Sequence, residues 1–182
     1  IATEGNERAG HVLRALARQE LGKNREALAD LDKAIGRGTW VDVHRSGAVS
    51  GIVTKRGEEE LFELLTRGAG VQVRLLLAAK RSAEARTALR SAQEAFGARP
   101  ILRAAGAAIA LSEGDAAGAW AAEREAIAGA PRSNFVLQVA DLLLESAIAA
   151  FGPDDLAAVR AQGPASLRFN AAIALARADR PA

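Results

Sequence analysis

Between Arg99 and Pro131 the apolar positions return every three or four residues, in two runs separated at Gly114. That period is the signature of helices with one face turned to a core. The first run, ILRAAGAAIALSEG, ends at Gly114. The second, DAAGAWAAEREAIAGA, opens on Asp115, a residue suited to cap it, and stops at Pro131. Within it Ala119, Glu123, Ala126 and Ala130 fall on one side. The same rhythm opens the chain, where ALARQELGKNREALADLDKAI places Ala15, Gly22, Ala27, Leu31 and Ala34 in equivalent register. Past Pro131, NFVLQVADLLLESAIAAFG predicts a long helix, and GPDDLAAVRAQ a further one with Pro153 and two acids in its first turn. PASLRFNAAIALARADRPA then predicts a last helix.

A small residue in a first helix, a turn glycine, then Ala, a large apolar residue and Ala in a second helix, and Pro after it, form a recognisable motif. Ala107, Gly114, Ala119, Ala126 and Pro131 supply it in the right order, and by these residues the segment resembles the tetratricopeptide-repeat family. It departs at Glu123, where the family prefers an apolar or aromatic residue; neighbouring Trp120 is available to fill that space. Shifted back by the family's 34-residue period, Val73 falls under Ala107, Ala85 under Ala119, Leu89 under Glu123 and Ala92 under Ala126. Lys80 stands where the turn glycine belongs. The resemblance implies an all-α, right-handed superhelical solenoid of antiparallel helix pairs. Residues 1–36 form the first pair, 37–56 an insertion, and 57–182 further repeats that break off before a second helix, as a piece cut from a longer array does. The start at Ile1, without an initiator Met, points the same way.

The stretch 37–56 interrupts the rhythm. Val41 and Val43 alternate with polar residues, and Gly51-Ile52-Val53-Thr54 is rich in β-branched side chains, which predicts a short hairpin or an extended loop. A helix GEEELFELLTRG follows, with Glu58 to Glu60 in its first turn and Arg67 in its last. The insertion is either a site of protein-specific function or a connector between two sub-stacks.

Composition sharpens the fold class. Apolar residues make up 49% of 182, but alanine dominates them; there is no Tyr, Met or Cys, and the bulky residues are two Trp and five Phe. Cores built on alanine bring helix backbones together and serve sheets poorly. The 24 basic and 22 acidic residues are interspersed, so the pI near 9.5 reflects a small excess and no basic patch. With so few aromatic residues for stacking, no nucleic-acid partner is expected. Charges interrupt every apolar run, so no membrane insertion is expected, and no signal-peptide pattern is visible. Lack of cysteine removes disulfides and thiol chemistry but fits a bacterial cytoplasm or periplasm equally. Twenty Arg against four Lys, with abundant Ala and Gly, suggests a GC-rich bacterial genome.

No enzymatic chemistry is expected. His11 sits among Val12, Leu13 and Leu16, a packing or edge position. Asp42, His44, Ser46 and Ser50 bring an acid, an imidazole and hydroxyls close in sequence, but Gly47-Ala48-Val49-Ser50-Gly51 lacks the order of a nucleophile elbow. The glycine-containing stretches at 5–10 and 36–38 lack the ending of a phosphate loop. Asp30 with Asp32, and Asp154 with Asp155, lack calcium-loop spacing. No cofactor or metal is expected.

Function therefore rests on surface. In the family, first helices line the concave side of the stack, and the resemblance carries that role to Arg67, Gly70, Arg74, Leu77 and Ala78. It carries it next to Ile101, Ala104, Ala108, Leu111 and Ser112, and then to Phe135, Gln138, Leu142 and Glu145. Such a groove is small and apolar with Arg67 and Arg74 as cationic anchors, suited to an amphipathic helix or an aliphatic peptide of a partner protein. It lacks the Lys and Asn of the family's carboxylate clamps. A scaffold or adaptor is the leading expectation. The alternatives are a docking array of a larger enzyme, such as a peptidase or glycosyltransferase, and self-association through Leu167, Phe169 and Ile173.

Overall fold

A computed structural model describes residues 2–48, 55–130 and 132–147. Among them it has eight helices and no strand: α1 (Ala2–Glu20), α2 (Asn24–Ile35), α3 (Trp40–Ala48), α4 (Lys55–Ala78), α5 (Ser82–Phe96), α6 (Pro100–Ser112), α7 (Ala116–Gly129) and α8 (Asn134–Ala147). The protein is all-α, as its alanine-rich pattern predicts. Two compact units divide it, Ile1–Ala98 with α1–α5 and Arg99–Ala182 with α6–α8. The predicted helices after 147, with Leu167, Phe169 and Ile173, lie outside the described residues, as do Ser50 and Ile52-Val53-Thr54.

Three hairpins, α1–α2, α4–α5 and α6–α7, are closed by three-residue connections of one design. In each, the middle residue of the connection takes a left-handed backbone: Gly22 at φ 72°, Lys80 at 62° and Gly114 at 85°. Its N–H donates to a carbonyl three residues back, and the next N–H reaches five back: Lys23 to Arg18, Arg81 to Leu76 and Asp115 to Ala110, at 2.8–3.0 Å. These bonds satisfy carbonyls that a helix end leaves open. Lys80 thus adopts the glycine conformation despite its Cβ, which costs an ordinary residue about 1 kcal/mol or more. Lys80→Gly should stabilise the first unit by up to about 1 kcal/mol, the gain being trimmed by the entropy of an unfolded glycine. Urea denaturation would read it as a raised midpoint at unchanged slope.

Past each turn the alanines do what their spacing predicts. Ala27 and Ala34, Ala85 and Ala92, and Ala119 and Ala126 are all completely buried. Across from them Ala15, Val73 and Ala107 are equally enclosed. Small side chains at these positions let the two helices of a hairpin lie close, and the apolar area buried there contributes roughly 25 cal/mol per Å2. Within the first unit α4 lies against both α1 and α2; within the second, α8 lies against both α6 and α7.

In the described part of 37–56 a helix stands where a short hairpin or an extended loop is predicted. Trp40 to Ala48 is helix α3, and Val41 and Val43 belong to it. Its start is fixed by Asp42: the Thr39 backbone N–H and hydroxyl both donate to Asp42 Oδ2, at 2.7 and 2.9 Å. That bonding holds the Asp42 carboxyl below the usual range. The buried positions are Trp40 and Val43, three apart, with half-buried His44 beside them; this helical period outweighs the Val41/Val43 alternation. Trp40, His44, Phe62 and Phe96 meet edge-to-face at 5.3–6.0 Å, tying α3 to α4 and α5. The helix predicted to finish at Arg67 instead runs unbroken to Ala78, so Arg67 lies mid-helix.

Candidate functional site

Among the described residues, concavities open on the first unit. One runs between α1 and the first half of α4, with a volume of about 630 Å3. It is lined by Leu13 from α1 and by Gly57, Glu59, Glu60, Leu61, Glu63, Leu64 and Arg67 from α4. On α4, Gly57, Leu61 and Leu64, and likewise Glu60, Glu63 and Arg67, recur at three- and four-residue steps and so share one side. Leu13 is 57% exposed although its neighbour Val12 is fully buried. A leucine left in water beside two further leucines is a hydrophobic strip available for cover. Three carboxylates and one guanidinium rim that strip, giving it an acidic balance.

The second concavity, about 390 Å3, lies among α2, α3, α4 and α5. Its walls mix polar residues, Asp32, Thr39, Gln72, Arg81, Glu84, Thr87 and Ser91, with apolar Ile35, Trp40, Leu76 and Ala88. The Trp40 indole N–H donates to Gln72 Oε1 at 2.9 Å, and the Trp40 backbone N–H to Ser91 Oγ at 2.9 Å. Arg81 grips Glu84 with two bonds of 2.7 Å, which holds the Glu84 carboxyl below its ordinary range. The Thr87 hydroxyl donates back to the Ala83 carbonyl of its own helix at 3.1 Å. The sequence left this cleft unseen, because it exists only once α3 is a helix.

The residues predicted to line a groove divide between the two units. Arg67 lines the α1/α4 groove, beside three glutamates as well as Leu13, Leu61 and Leu64. Arg74 and Leu77, further along α4, are half-buried. Burial pulls the Arg74 guanidinium pKa down, with Glu20 opposing the shift. In the second unit Ala104 is fully buried and Ala108 nearly so, which makes them packing positions instead of groove positions. Ile101, Leu111 and Phe135 are half-buried, and Gln138 is exposed, as is Leu142 at 46%. The Glu145 side chain lies outside the described residues.

Of the residues weighed for catalysis, His11, Asp42 and His44 have structural partners, while the Ser46 side chain and Ser50 lie outside the described residues. His11 Nδ1 is 2.8 Å from Arg14 Nη2 and accepts from it. His44 belongs to the aromatic cluster, and Asp42 caps α3. Among the described residues no group of three His, Cys, Asp or Glu is placed to hold a metal ion, and no helix is long and apolar enough to cross a membrane. Comparison with protein-family models, curated proteins and solved structures returns no match.

Proposed function

We propose that this chain is a protein-interaction scaffold built as a tetratricopeptide-like array, which holds a segment of its partner in the groove between α1 and α4. Two features support the array. The hairpins share one turn geometry and one set of buried alanines, and Lys80 and Gly114 are one 34-residue period apart. Each unit also lays a further helix against both members of a hairpin, the packing that stacked pairs require.

The observation that carries the binding assignment is the composition of the α1/α4 groove. Leu13, Leu61 and Leu64 offer an apolar strip, and Glu59, Glu60 and Glu63 flank it. An amphipathic helix or extended peptide with aliphatic side chains in register and Lys or Arg beside them is its complement. This refines the partner expected from Arg67 and Arg74 alone, since the carboxylates outnumber Arg67 along the groove.

A fluorescent Leu/Lys amphipathic peptide, titrated against the full chain, tests this. Binding should weaken about tenfold in the Glu59→Lys/Glu63→Lys double variant, a change of about 1.4 kcal/mol. Exposed Glu94 on α5 provides the control: Glu94→Lys should leave affinity nearly unchanged. Equal affinities for the parent and the groove variant would refute the site.

A further inference from the structure

One group in the second unit is unexplained by packing or by the proposed groove. Counted from the left-handed turn residue, Leu31, Leu89 and Glu123 occupy the same position in the three hairpins, nine residues on. In α2 that position is a fully buried leucine. In α7 it is a glutamate, also fully buried, in a stripe with Ala119, Trp120, Ala126 and Ile127. Both carboxyl oxygens of Glu123 are enclosed and lack a hydrogen-bond partner among the described residues. An ionised carboxylate so placed is far costlier than a neutral one.

Among the described side chains on the helices around α7, none is bonded to Glu123. α6 carries Arg103, which is partly exposed and is bonded to Glu125 instead. On α8 the ionisable residues are Asp141 and Glu145, whose side chains lie outside the described residues. On α7 itself Arg124 and Glu125 are the remaining charges. Burial pushes the Glu123 carboxyl up to about 9. The side chain is a neutral acid across the neutral range, held between helices where the other hairpins carry leucine.

We propose that Glu123 is a pH-sensitive latch: α6, α7 and α8 close around its neutral carboxyl, and loss of that proton opens them to water. The sign follows from linkage. An acid whose folded pKa lies above its unfolded value contributes stability that is complete below the unfolded pKa, about 4.3, and lost as pH rises through the folded one. Between these limits the unfolded chain binds one proton fewer than the folded chain. The opening constant then rises about tenfold per pH unit.

Hydrogen exchange by mass spectrometry on the full chain, from pH 5 to pH 9 and corrected for intrinsic exchange, reads this unit by unit. Peptides from α6–α8 should lose protection steadily as pH rises, and peptides from α1–α5 should not share that slope. Glu123→Gln should abolish the slope. Glu123→Leu, which restores the residue found at Leu31 and Leu89, should abolish it and protect α6–α8 further, and it keeps the test decisive if the Gln variant fails to fold. A flat wild-type profile, or a Leu variant that retains the wild-type slope, overturns the proposal.

Discussion

A Gly68→Val chain should lose about 3 kcal/mol of stability in its first unit, the upper end of overpacking costs. Gly68 lies mid-helix in α4, where a glycine ordinarily costs about 1 kcal/mol relative to alanine. Its reason is contact: a Cβ there would come within 2.6 Å of Val12 Cγ1, 3.3 Å of Trp40 and 3.5 Å of Leu31. All three are at most 1% exposed, and Val12, stiff at χ1, has no room to turn aside. Helices α1, α2 and α3 therefore converge on α4 at one missing side chain. Gly10, on α1, meets nothing within 4 Å, so Gly10→Ala should stabilise by roughly 0.5–1 kcal/mol. Opposite signs from two helical glycines, read by urea denaturation of the full chain, separate packing from propensity. A neutral Gly68→Val would show that the four helices do not meet there.

Removing the Asp30 carboxylate should cost about 3 kcal/mol. Asp30 is buried on α2, and α1 reaches over it with two arginines: Arg14 donates through Nε and Nη2 at 2.9 and 2.8 Å, and Arg18 through Nη1 at 2.6 Å. Loss of one partner from a buried ion pair costs roughly 3–5 kcal/mol, and the lower end applies because Arg14 and Arg18 are 47% and 33% exposed and can rehydrate. The hydrogen bonds from Arg14, ahead of the surrounding positive charges, hold the Asp30 carboxyl below its ordinary range. A depressed acid contributes stability that is present above its unfolded pKa, about 3.9, and lost as pH falls through the folded value. Thermal melts between pH 6 and pH 2 should show the first unit weakening on acidification in the parent chain. Asp30→Asn should start lower and lack that share of the acid sensitivity. An Asn variant with the parent's stability and acid profile would show that the cluster is solvated decoration.

The second-helix faces were legible in the sequence because alanine spacing encodes close helix approach directly: Ala27/Ala34, Ala85/Ala92 and Ala119/Ala126 are enclosed as their period predicts. Lys80 was legible as the substitute for a turn glycine, and it takes that conformation. Helix α3 was misjudged because Trp40 is held by residues far along the chain, Gln72, Ser91 and Phe96, that no local pattern announces. The one local clue was Thr39 with Asp42 three residues on, a spacing that lets the acid bond back to the start of a helix. Continuity of α4 was hidden by Gly68 and Gly70, which resemble helix breakers until Val12 and Trp40 are seen against Gly68. Of the residues that line the α1/α4 groove, register names Arg67. It does not name Leu13, whose role depends on α1 lying beside α4. Ala104 and Ala108 were assigned to surface by a register that says which helix faces the groove, but not how much of an alanine survives burial.

The three-residue connections also set an order of assembly. Pairing neighbours across so short a link costs little loop-closure entropy, whereas laying α4 on α1 closes a loop that spans α2 and α3. Helices and short loops form within about a microsecond, while ribosomes add roughly 5–20 residues each second. During synthesis α1 and α2 are therefore already joined before α4 leaves the tunnel, and the nascent pair must keep its uncovered leucines from neighbouring polysome chains until that helix arrives.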